Sequence, residues 1–186
     1  MHHNYETEAI VLARIPHGEK NHDLLLLTPH FGLIRARAQG IRASGAKLAG
    51  TFQTLTECSA RLVKGKDVWR VRGGSPLTVW SQNLSAPSKE RAGKVAGLLI
   101  RLLHGEVDDE TFYGVYKGLL EALKTDSLEE QEAAECLAVL RILQALGLDA
   151  GELPGDEYTQ ETLTAVLSDQ RSYIARINRG IAASGL

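Results

Sequence analysis

Cysteine is nearly absent from this sequence, with only Cys58 and Cys136 among 186 residues. Two thiols cannot form a disulfide framework, and a chain of this length buries roughly 70% of its extended surface without one. Cys58 falls in a strand-like run, and Cys136 falls among Ala133, Ala134, Leu137 and Leu140; both read as small core residues. Long apolar stretches are missing too. The runs Val95 to Ile100 and Leu137 to Leu140 are far short of the roughly 20 residues that span a bilayer, so no membrane crossing is expected. The first residues, MHHNYETEAI, carry acids where a secretory signal has a basic region and a long apolar one, which gives a cytoplasmic expectation. Aromatics make up only 5%, so a nucleic-acid binder of this composition would rely on charge more than on base stacking, Trp69 and Trp80 notwithstanding.

Charge of one sign is scarce within each half, although the whole chain carries only −2. Residues 1–80 hold 11 Lys and Arg against 6 acids, or +5, and residues 81–186 hold 10 against 17, or −7. Such a split predicts that the first half meets a polyanion and the second does not.

The hydrophobic period changes at the same place. Tyr5 to Arg14, His22 to Thr28, Gly32 to Ala38, Phe52 to Val63 and Val68 to Val71 read as five strands, with Lys64-Gly65-Lys66-Asp67 as a turn between the last two. Five strands in about 75 residues suit a small closed or nearly closed barrel. In Gly32 to Ala38, alternation puts Leu33, Arg35 and Arg37 on one face and Ile34, Ala36 and Ala38 on the other. The apolar spacing turns helical over Ser88 to Leu103, then from the Asp108-Asp109 cap to Lys124, over Leu128 to Leu146 before Gly147, and over Gln160 to Ala183 with a division near Ser168-Asp169. The fold class is therefore α+β: an all-β barrel over residues 1–80, then an all-α domain over 81–186, with Gly73 to Ser88 as the linker.

No motif makes a convincing catalytic site. His17, Glu19, His22 and Asp23 are dense enough to raise a metal-dependent hydrolase as an alternative, with His30 as a further ligand, but Pro16-His17-Gly18 reads better as a surface turn. Gly40 to Leu48 nearly fits a phosphate-cradling loop, yet Lys47 comes one position late and Leu48 has no hydroxyl for a metal. What remains is a Gly-rich segment whose Arg42 and Lys47 could lie along a phosphate backbone, as could Arg35 and Arg37. A barrel that binds RNA is the other alternative.

Tyr5-Glu6-Thr7-Glu8-Ala9-Ile10-Val11-Leu12, Gly18-Glu19-Lys20, Leu27-Thr28-Pro29, Phe31 through Arg42, Lys47-Leu48-Ala49-Gly50 and Phe52-Gln53 follow one another in an order that resembles the amino-terminal domain of the RecO family. These are bacterial DNA repair and recombination mediators, and the resemblance covers roughly the first 75 residues. It implies an oligonucleotide-binding barrel, and a non-enzymatic role binding single- and double-stranded DNA and annealing strands. It also implies cooperation with RecR to load RecA onto DNA coated by single-stranded-DNA-binding protein. It further implies that the helical domain receives the acidic, apolar-ended tail of that coating protein, for which Lys89, Arg91, Lys94 and Arg101 make the expected rim. Many members carry a four-cysteine zinc module in the carboxyl-terminal domain; only Cys136 is present there, so neither zinc nor another cofactor is expected.

Overall fold

A 14-residue first strand is too long to pair with one neighbour throughout, and β1 (Asn4–His17) divides itself between two. Its first half, through Ile10, runs antiparallel to β4 (Thr56–Val63), and its second half, from Ile10, runs antiparallel to β2 (Asn21–Thr28). A bulge between Val11 and Ala13 bends the strand where it changes partner. β3 (Gly32–Ala38) continues from β2, and β5 (Trp69–Val79) pairs antiparallel with β4 and briefly parallel with β3. The order β1-β2-β3-β5-β4 closes into a barrel, so the sheet has no free edge. These coordinates come from a computed structural model that describes residues 4–19, 21–39 and 48–186.

The barrel is filled by Ala9, Val11, Leu24, Leu26, Ile34, Ala36, Ala38, Phe52, Cys58, Ala60, Leu62 and Trp69, each on the inward beat of its strand or folded in from a turn. Tyr5, Phe31 and Trp69 pack together with ring centroids 5.1–5.6 Å apart. Both tryptophans are core residues, Trp69 5% and Trp80 2% exposed, so neither offers a stacking face.

The boundary between the two units falls inside the expected linker, Gly73 to Ser88, after Asn83, but most of that stretch is regular structure. The chain continues β5 to Val79, forms the short α1 (Trp80–Asn83), and begins α2 at Ala86. Gly74 is there for close approach: a Cβ on it would lie 2.6 Å from the Ser59 carbonyl and 2.9 Å from the Phe52 ring, whereas one on Gly73 would meet only the movable guanidinium of Arg61. Pro76, opposite Cys58, sits beside a bulge in the β4–β5 ladder, where its missing N–H is tolerated.

The remaining elements are α2 (Ala86–Leu102), α3 (Thr111–Ala122), α4 (Leu128–Ala145), α5 (Gln160–Ser168) and α6 (Gln170–Ala183). Two compact units result, Met1–Asn83 with Leu103–Tyr113, and Leu84–Leu102 with Gly114–Leu186; the fold class is α+β. In the second unit α4 is the buried element, with Ala133, Ala134, Leu137, Ala138, Leu140, Ile142 and Leu143 all inaccessible. Ser127 caps its start by accepting from the Glu130 N–H, with Glu129 and Glu130 in the first turn where they complement the helix dipole. Gly147, at φ +71°, ends it by adopting a conformation that costs other residues strain. Among the described residues, no helix is long and apolar enough to cross a membrane.

Candidate nucleic-acid interface

The alternation in β3 holds: Ile34, Ala36 and Ala38 are buried, while Arg35 and Arg37 leave the barrel wall. The sequence does not reveal that both reach the same carboxylate. Asp23 on β2, opposite Arg37 in the ladder, accepts from Arg35 Nε at 2.9 Å and from Arg37 Nε at 2.8 Å, and Arg35 Nη2 lies 2.6 Å from its second oxygen. Its side chain is fully inaccessible, 0%, so this charge depends on its guanidinium partners. The Arg37 hydrogen bond, with a smaller contribution from Arg35, holds the Asp23 carboxyl below the usual carboxylate range. Two cations sharing one anion leave a net positive charge on the outer face.

That face continues onto β5 and the β4–β5 turn. Arg70 lies beside Arg37 where β3 and β5 run parallel, an arrangement of like charges that weakens a sheet and favours a bound anion. The turn brings Lys66 and Lys64 alongside. Two adjoining depressions share Arg35, Gly65, Lys66, Asp67 and Val68; one, of about 450 Å³, extends to Arg37 and Arg70, and the other, of about 200 Å³, extends to Lys64, Trp69 and Glu106. Gly65 keeps the turn tight, since a Cβ there would lie 2.4 Å from the Val68 carbonyl. In small five-stranded barrels, the face of strands 2 and 3 together with the β4–β5 loop is where oligonucleotides lie.

Of the four barrel cations expected from the sequence, the structure brings Arg35 and Arg37 together; Arg42 and Lys47 lie outside the described residues. Lys64, Lys66 and Arg70, which line the same depressions, were not among the expected cations, though their signal was legible: two lysines in a hairpin turn, then an arginine on the outward beat beside buried Trp69. The His17 to Asp23 cluster is organised by arginine. Asp23 is taken by Arg35 and Arg37, and His17 Nδ1 lies 3.6 Å from the same carboxylate. Among the described residues, no three His, Cys, Asp or Glu side chains are placed to hold a metal ion. His30 instead faces Asp108 at 3.4 Å and Glu110 at 3.5 Å.

In the helical unit, a groove of about 400 Å³ runs between α2, α4 and α6, floored by Val95, Leu98, Val139, Ile174, Ile177 and Ile181. Arg91, Lys94 and Arg101 line it; Lys89, exposed on α2, does not. Arg91 is paired with Glu135 at 2.5 Å and Lys94 with Glu90 at 2.9 Å, whereas Arg101 has no ion pair among the described residues. Cys136 also lines the groove, its thiol pushed up to about 11, chiefly by burial.

Residues 1–79 match the family model described as Recombination protein O N terminal. Curated proteins named DNA repair protein RecO are also similar to this chain. That of Dehalococcoides mccartyi strain CBDB1 is 32% identical over 75 residues, 40% of this chain and 30% of the relative. That of Roseiflexus sp. strain RS-1 is 30% identical over 120 residues, 64% of this chain and 42% of the relative. That of Heliobacterium modesticaldum strain Ice1 is 28% identical over 157 residues, 80% of this chain and 56% of the relative. The chain thus spans between about a third and just over half the length of these relatives. By the barrel, the family match and these relatives, the chain resembles DNA repair protein RecO, and residues 1–79 match the model of that family's amino-terminal domain.

Proposed function

We propose that the chain is a DNA repair and recombination mediator that works by binding and annealing rather than by catalysis. Its barrel, residues 1–80, holds single- and double-stranded DNA through Arg35, Arg37, Lys64, Lys66 and Arg70, with Arg42 and Lys47, outside the described residues, as further expected contacts. These side chains grip phosphates, the class of contact that positions a strand without reading its sequence. Screening one strand's charge lets its complement approach, so annealing requires no bond-making residue. The observation that carries this reading is the single groove that Arg35 and Arg37 share with Lys66 and Arg70 on a closed barrel.

The helical domain, residues 81–186, takes the acidic, apolar-ended tail of single-stranded-DNA-binding protein. Its groove combines an apolar floor with the cationic Arg101, which suits a peptide ending in an apolar residue beside a carboxylate. With RecR, the protein helps load RecA onto coated DNA, acting in the cytoplasm at the nucleoid. A strand-annealing assay with and without the coating protein tests this. Annealing of bare and coated complementary strands supports it, and failure on both substrates, with the fold intact, refutes it.

A further inference from the structure

We propose that Glu106 is an internal stand-in for a nucleic-acid phosphate, occupying Lys64 and the Trp69 indole N–H at one end of the barrel groove until a strand displaces it. This inference rests on the groove's being the DNA-binding surface. Glu106 accepts from Lys64 Nζ at 2.6 Å and from Trp69 Nε1 at 3.0 Å, so its two oxygens take two donors from the barrel wall. A phosphate has the same charge sign and acceptor geometry, and would take the same two donors. Lys64 also lies over the Trp69 ring, 5.4 Å from its centroid, which fixes the ammonium at this spot. The carboxylate lines the same depression as Arg35, Lys66 and Asp67, the end of the path on which the other cations lie.

The contact is built to exchange. Glu106 belongs to Leu103–Tyr113, which packs with the barrel but, before α3 begins at Thr111, forms neither strand nor helix. Its departure therefore breaks no ladder. The segment is fastened on the far side of Glu106, where the Val107 backbone lies over Gly32, His30 faces Asp108 and Glu110, and Tyr113 donates to Glu57 at 2.9 Å. Gly105, at φ +84° and with open space around it, gives the chain just before Glu106 a conformational freedom other residues lack. The Lys64 and Glu106 side chains are 52% and 40% exposed, and so solvated a pair is readily replaced by a competing anion. The Lys64 hydrogen bond holds the Glu106 carboxyl below its ordinary range, so it remains an anionic competitor at neutral pH.

The test is anisotropy titration of a labelled oligothymidine with the full chain at low salt. Glu106→Gln keeps an acceptor for Trp69 but removes the charge, and should tighten binding about two- to fivefold, the range expected for releasing one exposed ion pair. Lys64→Met in the same chain should cancel the gain. Glu110→Gln, which removes a charge from the same segment, should change affinity less than twofold. Equal gains from both glutamine variants, or none from Glu106→Gln, would overturn the proposal. In the unaltered protein, saturating oligothymidine should shift tryptophan emission, and Trp69→Phe should abolish that shift; no shift also overturns it. Lys66→Ala with Arg70→Ala separates the two readings. If that pair leaves affinity unchanged, the groove reading fails; if it weakens binding while Glu106→Gln has no effect, only the present inference fails.

Discussion

The barrel and the helical unit each carry a groove lined with basic residues, and the two differ in what surrounds those cations. In the barrel, Arg35, Arg37, Lys64, Lys66 and Arg70 outnumber the carboxylates of Asp23, Asp67 and Glu106, and the walls are mostly polar. In the helical groove, two of three lining cations are neutralised by Glu90 and Glu135, and six aliphatic side chains form the floor. A surplus of cations on a rigid wall suits an extended polyanion. An apolar trough with one unpaired arginine suits a short peptide end. The lesson is that the surplus of cations over carboxylates and the polarity of the wall, more than the presence of cations, distinguish the two grooves.

The sharpest way to break this comparison is to reverse both strand arginines. Arg35→Glu with Arg37→Glu would set two carboxylates against the buried Asp23, and the barrel should lose its cooperative thermal transition. Adding Asp23→Asn should restore much of it. A cooperative melt in the double variant alone would show that Asp23 does not depend on its partners.

The helical unit has its own sequestered pair, Arg176 with Asp149 at 2.5 Å, 12% and 9% exposed, and Arg176 Nη1 also donates to the Glu152 carbonyl. Arg176→Ala strands Asp149 and should cost about 3 kcal/mol in urea unfolding. Both pairs carry the same pH signature. Asp23 and Asp149 are held below their ordinary values chiefly by the hydrogen bonds from Arg37 and Arg176 respectively. Their stabilisation is therefore complete above the unfolded carboxylate value of about 3.9 and is lost as pH falls below it toward the depressed folded values. Thermal melts from pH 7 to pH 2 should stay level to about pH 5 and then fall. In Asp149→Asn, part of that fall should disappear.

Smaller effects distinguish the ligands. Leu98→Asp, in the apolar floor, should abolish binding of an acidic, apolar-ended peptide while leaving DNA affinity unchanged. Arg101→Glu should weaken the same peptide about fivefold, and Lys89→Ala should leave it unaltered because that side chain does not line the groove. Fluorescence titration of the peptide checks all three. An effect of Lys89→Ala equal to that of Arg101→Glu would move the peptide off the groove.

Much of the fold was legible because its signals are periodic. The outward arginines of β3, the Asp109 side chain that accepts from the Thr111 N–H at the start of α3, the Gly147 stop and the break near Asp169 follow from local stereochemistry. The errors arose where tertiary contact sets the meaning of a residue. Gly74 looked like a linker glycine, but is small because the Ser59 carbonyl and the Phe52 ring crowd it. Asp23 looked like part of a surface turn, with a metal site only as the alternative, because its arginine partners stand 12 and 14 residues away. The β4–β5 turn looked like plain punctuation, and only barrel closure sets Lys66 and Arg70 beside Arg35 and Arg37. Glu106 lies 37 residues from Trp69, and no local pattern joins them.

The measurement that bears most directly on the barrel groove is the salt dependence of oligothymidine binding. Lys66→Ala with Arg70→Ala removes two cations from the groove without stranding Asp23, and should flatten the slope of log affinity against log salt by about 1.4, or 0.7 for each lost single-strand contact. Arg171→Ala, exposed on α6, should leave the slope unchanged. If Arg171→Ala flattens the slope as much as the groove variant does, or if the groove variant leaves it intact, the strand does not follow β3 and the β4–β5 turn.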